Sequence, residues 1–234
     1  MRYGFIRYKE GIPTIEKEKT ISVLSNRLFL EAMKEVISYA KGELLDVGCG
    51  ESPFYPLFSQ RTNGYVKTDV LTSSGKPDLY SEIGALPFKD NSFDTILCTQ
   101  VLEHVFDPFW AISEMERLLR SRGVIIIGTP LIYWIHEAPI DYYRYTKYFY
   151  QKIAEIYDFE ILFLKEVGGI FSVLTDILSK GIILCSSRSK YLSFLKYVSF
   201  VTQDFGWLII DKLLRGDFAM PIINLGYVVV LRKR

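Results

Sequence analysis

Three groups of residues in this chain have chemistry to offer. The first is Leu44-Leu45-Asp46-Val47-Gly48-Cys49-Gly50, an apolar run with an acid near its end that closes in a glycine-containing turn. Glycine takes positive φ without a Cβ clash and lets a ligand come close to the backbone. A helix opening after the turn would aim unpaired N–H groups at that ligand. A dinucleotide fingerprint asks for a third glycine where this chain has Pro53. Asp46 suits an ammonium group, held directly or through water, better than a pyrophosphate. The second group is Asp69, which ends the run Gly64-Tyr65-Val66-Lys67-Thr68-Asp69. At an offset of roughly 20 residues from a glycine turn, a strand-end carboxylate can accept hydrogen bonds from ribose hydroxyls. The third is His136-Glu137-Ala138-Pro139-Ile140-Asp141-Tyr142-Tyr143-Arg144-Tyr145-Thr146, dense in polar aromatics. Histidine titrates in the range useful to a general base. The chain has only two, His104 and His136. His136, helped by Asp141 or Glu137, is the candidate for taking a proton from a hydroxyl. Asp141 and Arg144 read equally as a pair pinning the loop or as groups that bind a substrate.

The elements that must position these groups follow from periodicity. Glu43–Val47, Gly64–Asp69, a short run over Asp78–Ile83, Phe93–Thr99, Gly123–Pro130, Phe159–Val167 and Ile222–Arg232 read as strands. Helices are expected from Ser22 or Ser25 to about Ala40, over Phe54–Gln60, over Phe109–Leu119, and from Thr146, as its cap, to about Tyr157. Alternating strands and helices predict an α/β fold: a Rossmann-like, mostly parallel seven-stranded sheet with helices on both faces and an antiparallel last strand. Asp46, Asp69, Glu82, Gln100 and Thr129 all fall at strand ends and could share one crevice. Residues 1–20 read as an irregular arm. The expected organisation is an arm and helix over 1–42, a core over 43–169, an apolar helical insert over 170–216 and a final core strand over 217–234.

Net charge is +1, which offers no electrostatic case for nucleic acid. Cys49, Cys98 and Cys185 are an odd and widely spaced set, read as reduced thiols of a cytoplasmic protein. Two histidines and no C-x-x-C leave little for zinc, and no metal is expected. Met1–Glu10 has no apolar core of a signal peptide, and no apolar run is long enough to span a bilayer. Residues 170–216 are apolar but interrupted by charges, which suits a pocket cap, a homodimer face or a peripheral membrane contact.

The first stretch resembles motif I of the class I S-adenosylmethionine-dependent methyltransferases. The run DLYSEIGALPFKDNSFDTILCTQVLEHVFDP looks like the middle of the methyltransferase 11 type. The resemblance implies S-adenosylmethionine as cofactor, with S-adenosylhomocysteine as product. It implies a cofactor site of Asp46, Gly48, Gly50, Asp69, Val70, Glu82, Ile83 and Gln100. Glu82, where the family usually has Asp, would accept from the adenine amine, and Ile83 would pack on the ring. The His136–Thr146 run resembles a subset associated with glycan and cell-envelope biosynthesis, and implies a loop beside the methyl-acceptor pocket. Glu137, Tyr142 and Arg144 would then bind acceptor, His136 and Asp141 would be catalytic, and His104 would position the donor or a water. The expected reaction is methyl transfer to a hydroxyl of a sugar, glycan precursor or other small molecule. A quinone-like apolar acceptor is the alternative. A regulatory or scaffold subunit that only binds the cofactor is the alternative of another class.

Overall fold

Strands buried on both faces of a sheet call for unbroken branched apolar runs. Val124-Ile125-Ile126-Ile127 and Val228-Val229-Val230 supply them, and all are buried. In the computed structural model, residues 6–9, 12–15, 23–70, 76–186 and 223–234 are described, with backbone alone for 6–9, 12–15 and 183–186. The elements in order are β1 (Ile6–Lys9), β2 (Ile12–Ile15), α1 (Val23–Val36), β3 (Glu43–Val47), α2 (Tyr55–Phe58), β4 (Gly64–Asp69), β5 (Leu79–Tyr80), β6 (Phe93–Thr99), α3 (Pro108–Leu118), β7 (Leu119–Pro130), α4 (Lys147–Ile156), β8 (Phe159–Val167), α5 (Ile170–Ser186) and β9 (Gly226–Lys233).

Strands β3 to β9 form a seven-stranded sheet in the order β5-β4-β3-β6-β7-β9-β8. Pairings β3–β4, β3–β6, β4–β5 and β6–β7 are parallel, and β9 runs antiparallel to β7. The chain steps outward from β3 to β4 and β5, then returns to β6 on the other side of β3. That reversal makes a switch point beside β3, and ligands of open α/β sheets sit at the carboxyl ends of strands there. The ends concerned are Val47, Asp69 and Thr99.

The chain divides into two compact units, one of residues 1–4, 32–165 and 226–234, the other of 5–31 and 166–225. Within the second, β1 and β2 pair antiparallel, where an irregular arm was expected. Four residues per strand are too few for alternation to show in sequence, and Pro13 is tolerated because both strands of a two-stranded ribbon are edges. Helix α5 buries Asp176 and Lys180, which form an ion pair, and exposes Leu174, Ile177 and Leu178. The helix expected over 191–214 lies outside the described residues. Among the described residues, no helix is long and apolar enough to cross a membrane.

Two expected helix details differ. The first crossover helix is a single turn, Tyr55–Phe58, with Pro56 rather than Pro53 in its first turn. So short a helix offers no macrodipole to a ligand. Thr146 stands at the N-cap of α4 with extended backbone, but its side chain makes no capping hydrogen bond.

Candidate functional site

The turn after β3 is built by two glycines with different jobs. Gly48 has φ +64°, and a Cβ there would lie 2.4 Å from Val101 Cγ2. Packing therefore requires this glycine. Gly50 has φ +53°, and a Cβ there would meet nothing within 4 Å. The open side of the turn is thus at Gly50. Its N–H donates to Asp69 Oδ2 at 2.8 Å, so the two strand ends are tied together.

Asp46 is buried and accepts from the Tyr65 hydroxyl at 2.8 Å. Burial pushes its carboxyl up to about 7, against the lowering effect of that hydroxyl. Asp46 is not among the residues that line the cavity, and one of its oxygens is already taken by the Tyr65 hydroxyl. Tyr65, its holder, had no role in the sequence reading.

A cavity of about 620 Å³ opens at the carboxyl ends of β3, β4 and β6. Gly48, Gly50, Asp69, Val70, Glu82 and Ile83 line one part. Gln100, His104, His136, Glu137 and Tyr142 line the same cavity. Eleven of the expected site residues therefore share one space, and Asp46, Asp141 and Arg144 stand outside its wall. Gln100 and Glu137 both hold left-handed backbone, φ 58° and φ 52°. Non-glycine residues in that region persist where the surroundings over-determine them, often at functional sites. Trp110 and Phe106 also face the cavity. Neither is singled out by its sequence context, because an aromatic in the helix Pro108–Leu118 or just before it looks like core.

The His136–Thr146 loop is clamped onto the short 3-10 turn Leu102–His104. The amides of Tyr142 and Tyr143 both donate to the Glu103 carbonyl, at 2.9 and 3.2 Å. The Tyr145 hydroxyl donates to the Leu102 carbonyl at 2.8 Å, and Tyr143 Oη to the Phe106 carbonyl at 2.9 Å. His104 Nδ1 donates to the Ile140 carbonyl at 2.9 Å. Inside the loop, Arg144 forks onto Asp141 at 2.5 and 2.8 Å. Asp141 also accepts from the His136 amide at 2.9 Å and stands 3.2 Å from His136 Nδ1. Burial alone would raise Asp141, but the Arg144 fork and the His136 amide hold it well below the usual carboxylate range. The geometry is thus that of pinning, and the loop presents His136 through its Nε2.

The clamp brings both histidines to one acid. The His104 and His136 rings meet edge to face with centroids 4.7 Å apart. Glu103 is fully buried, and Nε2 of each ring lies 3.9 Å from its Oε1. Burial pushes Glu103 up to about 8 and, together with neighbouring His104, lowers His136 below its ordinary value. Glu103 was quoted in the motif without a role. Its one signal was an acid inside an otherwise apolar run directly after a strand.

The elevated Glu103 has a consequence for stability. The unfolded carboxyl loses its proton near 4.5 and the folded one near 8, so the folded state binds the extra proton between these values. Its contribution is present below the unfolded pKa and is lost as pH rises through the folded one. Glu103→Gln is expected to gain on the wild type by roughly 3–4 kcal/mol between pH 5 and pH 8.5. Denaturant melts at the two pH values check this. A gap that does not change with pH would refute it.

The family described as "Methyltransferase domain" matches residues 45–127, from β3 through β7. The chain carries a class I methyltransferase domain. An uncharacterised methyltransferase of Mycobacterium tuberculosis is 29% identical over 116 residues, covering 43% of this chain and 45% of that protein. The chain spans about half the length of the curated relatives it matches. The crystal structure of a SAM-dependent methyltransferase from Archaeoglobus fulgidus superposes with TM-score 0.53 at 18% identity, over 93% of this chain and 96% of that one. The structure of the cyclase SpnF superposes with TM-score 0.57 at 16% identity, over 97% and 86%. These two likenesses are of fold. In the methyltransferase domain of this chain, the matched segment contains the glycine turn, Asp69, Glu82 and the Glu103–His104 pair, while His136 lies beyond it.

Proposed function

We propose that the chain binds S-adenosylmethionine in the cavity and transfers its methyl group to a hydroxyl of a sugar, glycan precursor or other small molecule. One observation carries this reading: the glycine turn with Asp69 and Glu82, and the two histidines His104 and His136, open into a single cavity. Its volume is in the range of small-molecule sites. The residues fit the cofactor. The open side of Gly50 admits a close approach to the backbone, Asp69 is placed to accept from ribose hydroxyls, and Glu82 and Ile83 suit an adenine amine and ring face. Asp46 acts behind the wall, holding the turn through Tyr65.

The bound cofactor supplies an activated methyl and a neutral leaving group. The protein then holds acceptor and donor in line and takes charge of the hydroxyl proton. His104 and His136 line the part of the cavity that suits this task, with Glu103 buried against both rings and Glu137 and Tyr142 in the same wall to bind acceptor. Phe106 and Trp110 in the wall favour a second acceptor class, an apolar quinone-like ring.

Calorimetric titration with S-adenosylhomocysteine tests the reading. Asp69→Ala is expected to weaken binding by about 1–3 kcal/mol, the worth of hydrogen bonds to a charged group. A wild-type protein that binds neither S-adenosylmethionine nor S-adenosylhomocysteine would refute it. Conversion of the donor to S-adenosylhomocysteine with sugar or quinol acceptors separates transfer from binding alone.

A further inference from the structure

Three electron-pair donors, from Glu103, His104 and His136, converge where the two histidines meet the cavity wall. Oε1 of Glu103 lies 3.9 Å from His104 Nε2 and 3.9 Å from His136 Nε2, and the three ligand atoms lie within 4.8 Å of one another. The outer nitrogens fix the tautomers. His104 Nδ1 faces the Ile140 carbonyl, and His136 Nδ1 faces the Asp141 carboxylate and the Trp134 carbonyl, so each Nδ1 carries the proton. Each Nε2 is left with a bare lone pair, 3.9 Å from an oxygen of the Glu103 carboxyl group. A separation of 3.9 Å is too long for a shared proton to make a hydrogen bond. Neither Glu103 oxygen, nor His136 Nε2, has a hydrogen-bond partner among the described residues. Buried groups of this kind are expensive to leave unsatisfied.

We propose that Glu103, His104 and His136 form a two-histidine, one-carboxylate site for a divalent transition-metal ion, whose open positions receive oxygen atoms of the acceptor. Bonds from such an ion to imidazole nitrogen and carboxylate oxygen are about 2.0–2.2 Å, so two of its ligand atoms stand at most about 4.2 Å apart. The two 3.9 Å separations already meet that limit. The remaining pair, the two Nε2 atoms, lies within 4.8 Å and draws closer when the ion binds. The surroundings match those of metal-bound imidazoles. Each outer ring nitrogen donates to a carbonyl or carboxylate that fixes its orientation, and Asp141 is itself held by the Arg144 fork. Mixed nitrogen and oxygen donors favour zinc, cobalt, iron or manganese over calcium, which takes oxygen throughout. Gln100 Oε1 is a further buried acceptor without a partner in the wall of the same cavity.

The identity of the ion's outer ligand rests on the methyl-transfer reading; the ion itself does not. With a hydroxyl oxygen on the ion, its proton leaves to water in the open cavity. The O–CH3 bond then forms as the donor's S–CH3 bond breaks, and the sulfonium leaves as a neutral thioether.

The test is a titration of chelator-treated, dialysed protein with Co2+, followed by calorimetry and by visible d–d absorption. S-adenosylhomocysteine binding is measured on the same samples. One Co2+ per chain with micromolar or tighter affinity is expected. Glu103→Gln, which is nearly isosteric, and His136→Ala should each weaken it at least tenfold while keeping S-adenosylhomocysteine affinity. Asp141→Asn should weaken it roughly 10- to 100-fold. Wild type that binds S-adenosylhomocysteine but no Co2+ would overturn the site, as would Co2+ binding indifferent to both ligand substitutions. Wild type that binds Co2+ but no S-adenosylhomocysteine would uphold the site and refute the methyl-transfer reading instead.

Discussion

His136→Ala is expected to lower kcat about 10²–10⁴-fold while leaving S-adenosylhomocysteine affinity at the wild-type value. The separation follows from placement. His136 lines the cavity from the loop after β7, whereas the glycine turn and Asp69 line it from β3 and β4. Its Nδ1 is committed to Asp141 and the Trp134 carbonyl, so chemistry falls to Nε2. Burial and His104 lower the pKa of His136, which keeps that nitrogen unprotonated at neutral pH. Both a proton and a metal ion would use the same lone pair, so the loss is expected by either route. Wild-type rates should fall on the acid side of the ordinary histidine value of 6.5, where protonation of His136 blocks the lone pair. A variant with wild-type kcat and KM would remove His136 from the mechanism.

Arg144→Ala is expected to cost about 3–5 kcal/mol of stability, the usual penalty for leaving one member of a buried ion pair alone. The Asp141 side chain is only 2% exposed and receives both arms of the guanidinium. What remains to it is the His136 amide and ring. For a chain of this size such a loss lowers Tm by roughly 10 °C. The same substitution loosens Asp141 and with it the orientation of His136, so kcat should fall too. Scanning calorimetry beside steady-state kinetics decides between the two roles open to Arg144. A raised KM with unchanged Tm would assign it to the acceptor and refute pinning.

The parts of this protein legible in the sequence are those set by neighbours along the chain. Strands β6 and β8 fall where the sequence puts them, because short runs rich in apolar and aromatic residues specify a strand locally. The turn at Gly48 and Gly50 is legible because left-handed backbone selects glycine. Asp69 is legible because a βαβ unit fixes its offset from that turn. Asp46 illustrates the limit. Its type and place suggested a ligand contact, but the parallel register of β3 with β4 sets Tyr65 beside it, and the phenol takes the carboxylate. The choice between pinning and binding at Asp141 and Arg144 was likewise open in sequence, since a fork at i and i+3 exists only once the loop has a shape.

Only the tertiary structure decided what Glu103 is. In sequence it is one acid in Leu102-Glu103-His104, and a strand and a helix separate it from His136. Two long-range facts join them: β7 pairs with β6, which returns the chain to the same end of the sheet, and the tyrosine loop clamps its amides onto the Glu103 carbonyl. Periodicity reports which residues are buried, but not which buried residues face one another. The sequence by itself therefore determined the sheet, the turn and the carboxylate beside it. The convergence of two histidines on a buried acid came from pairing and loop closure, interactions with no local trace.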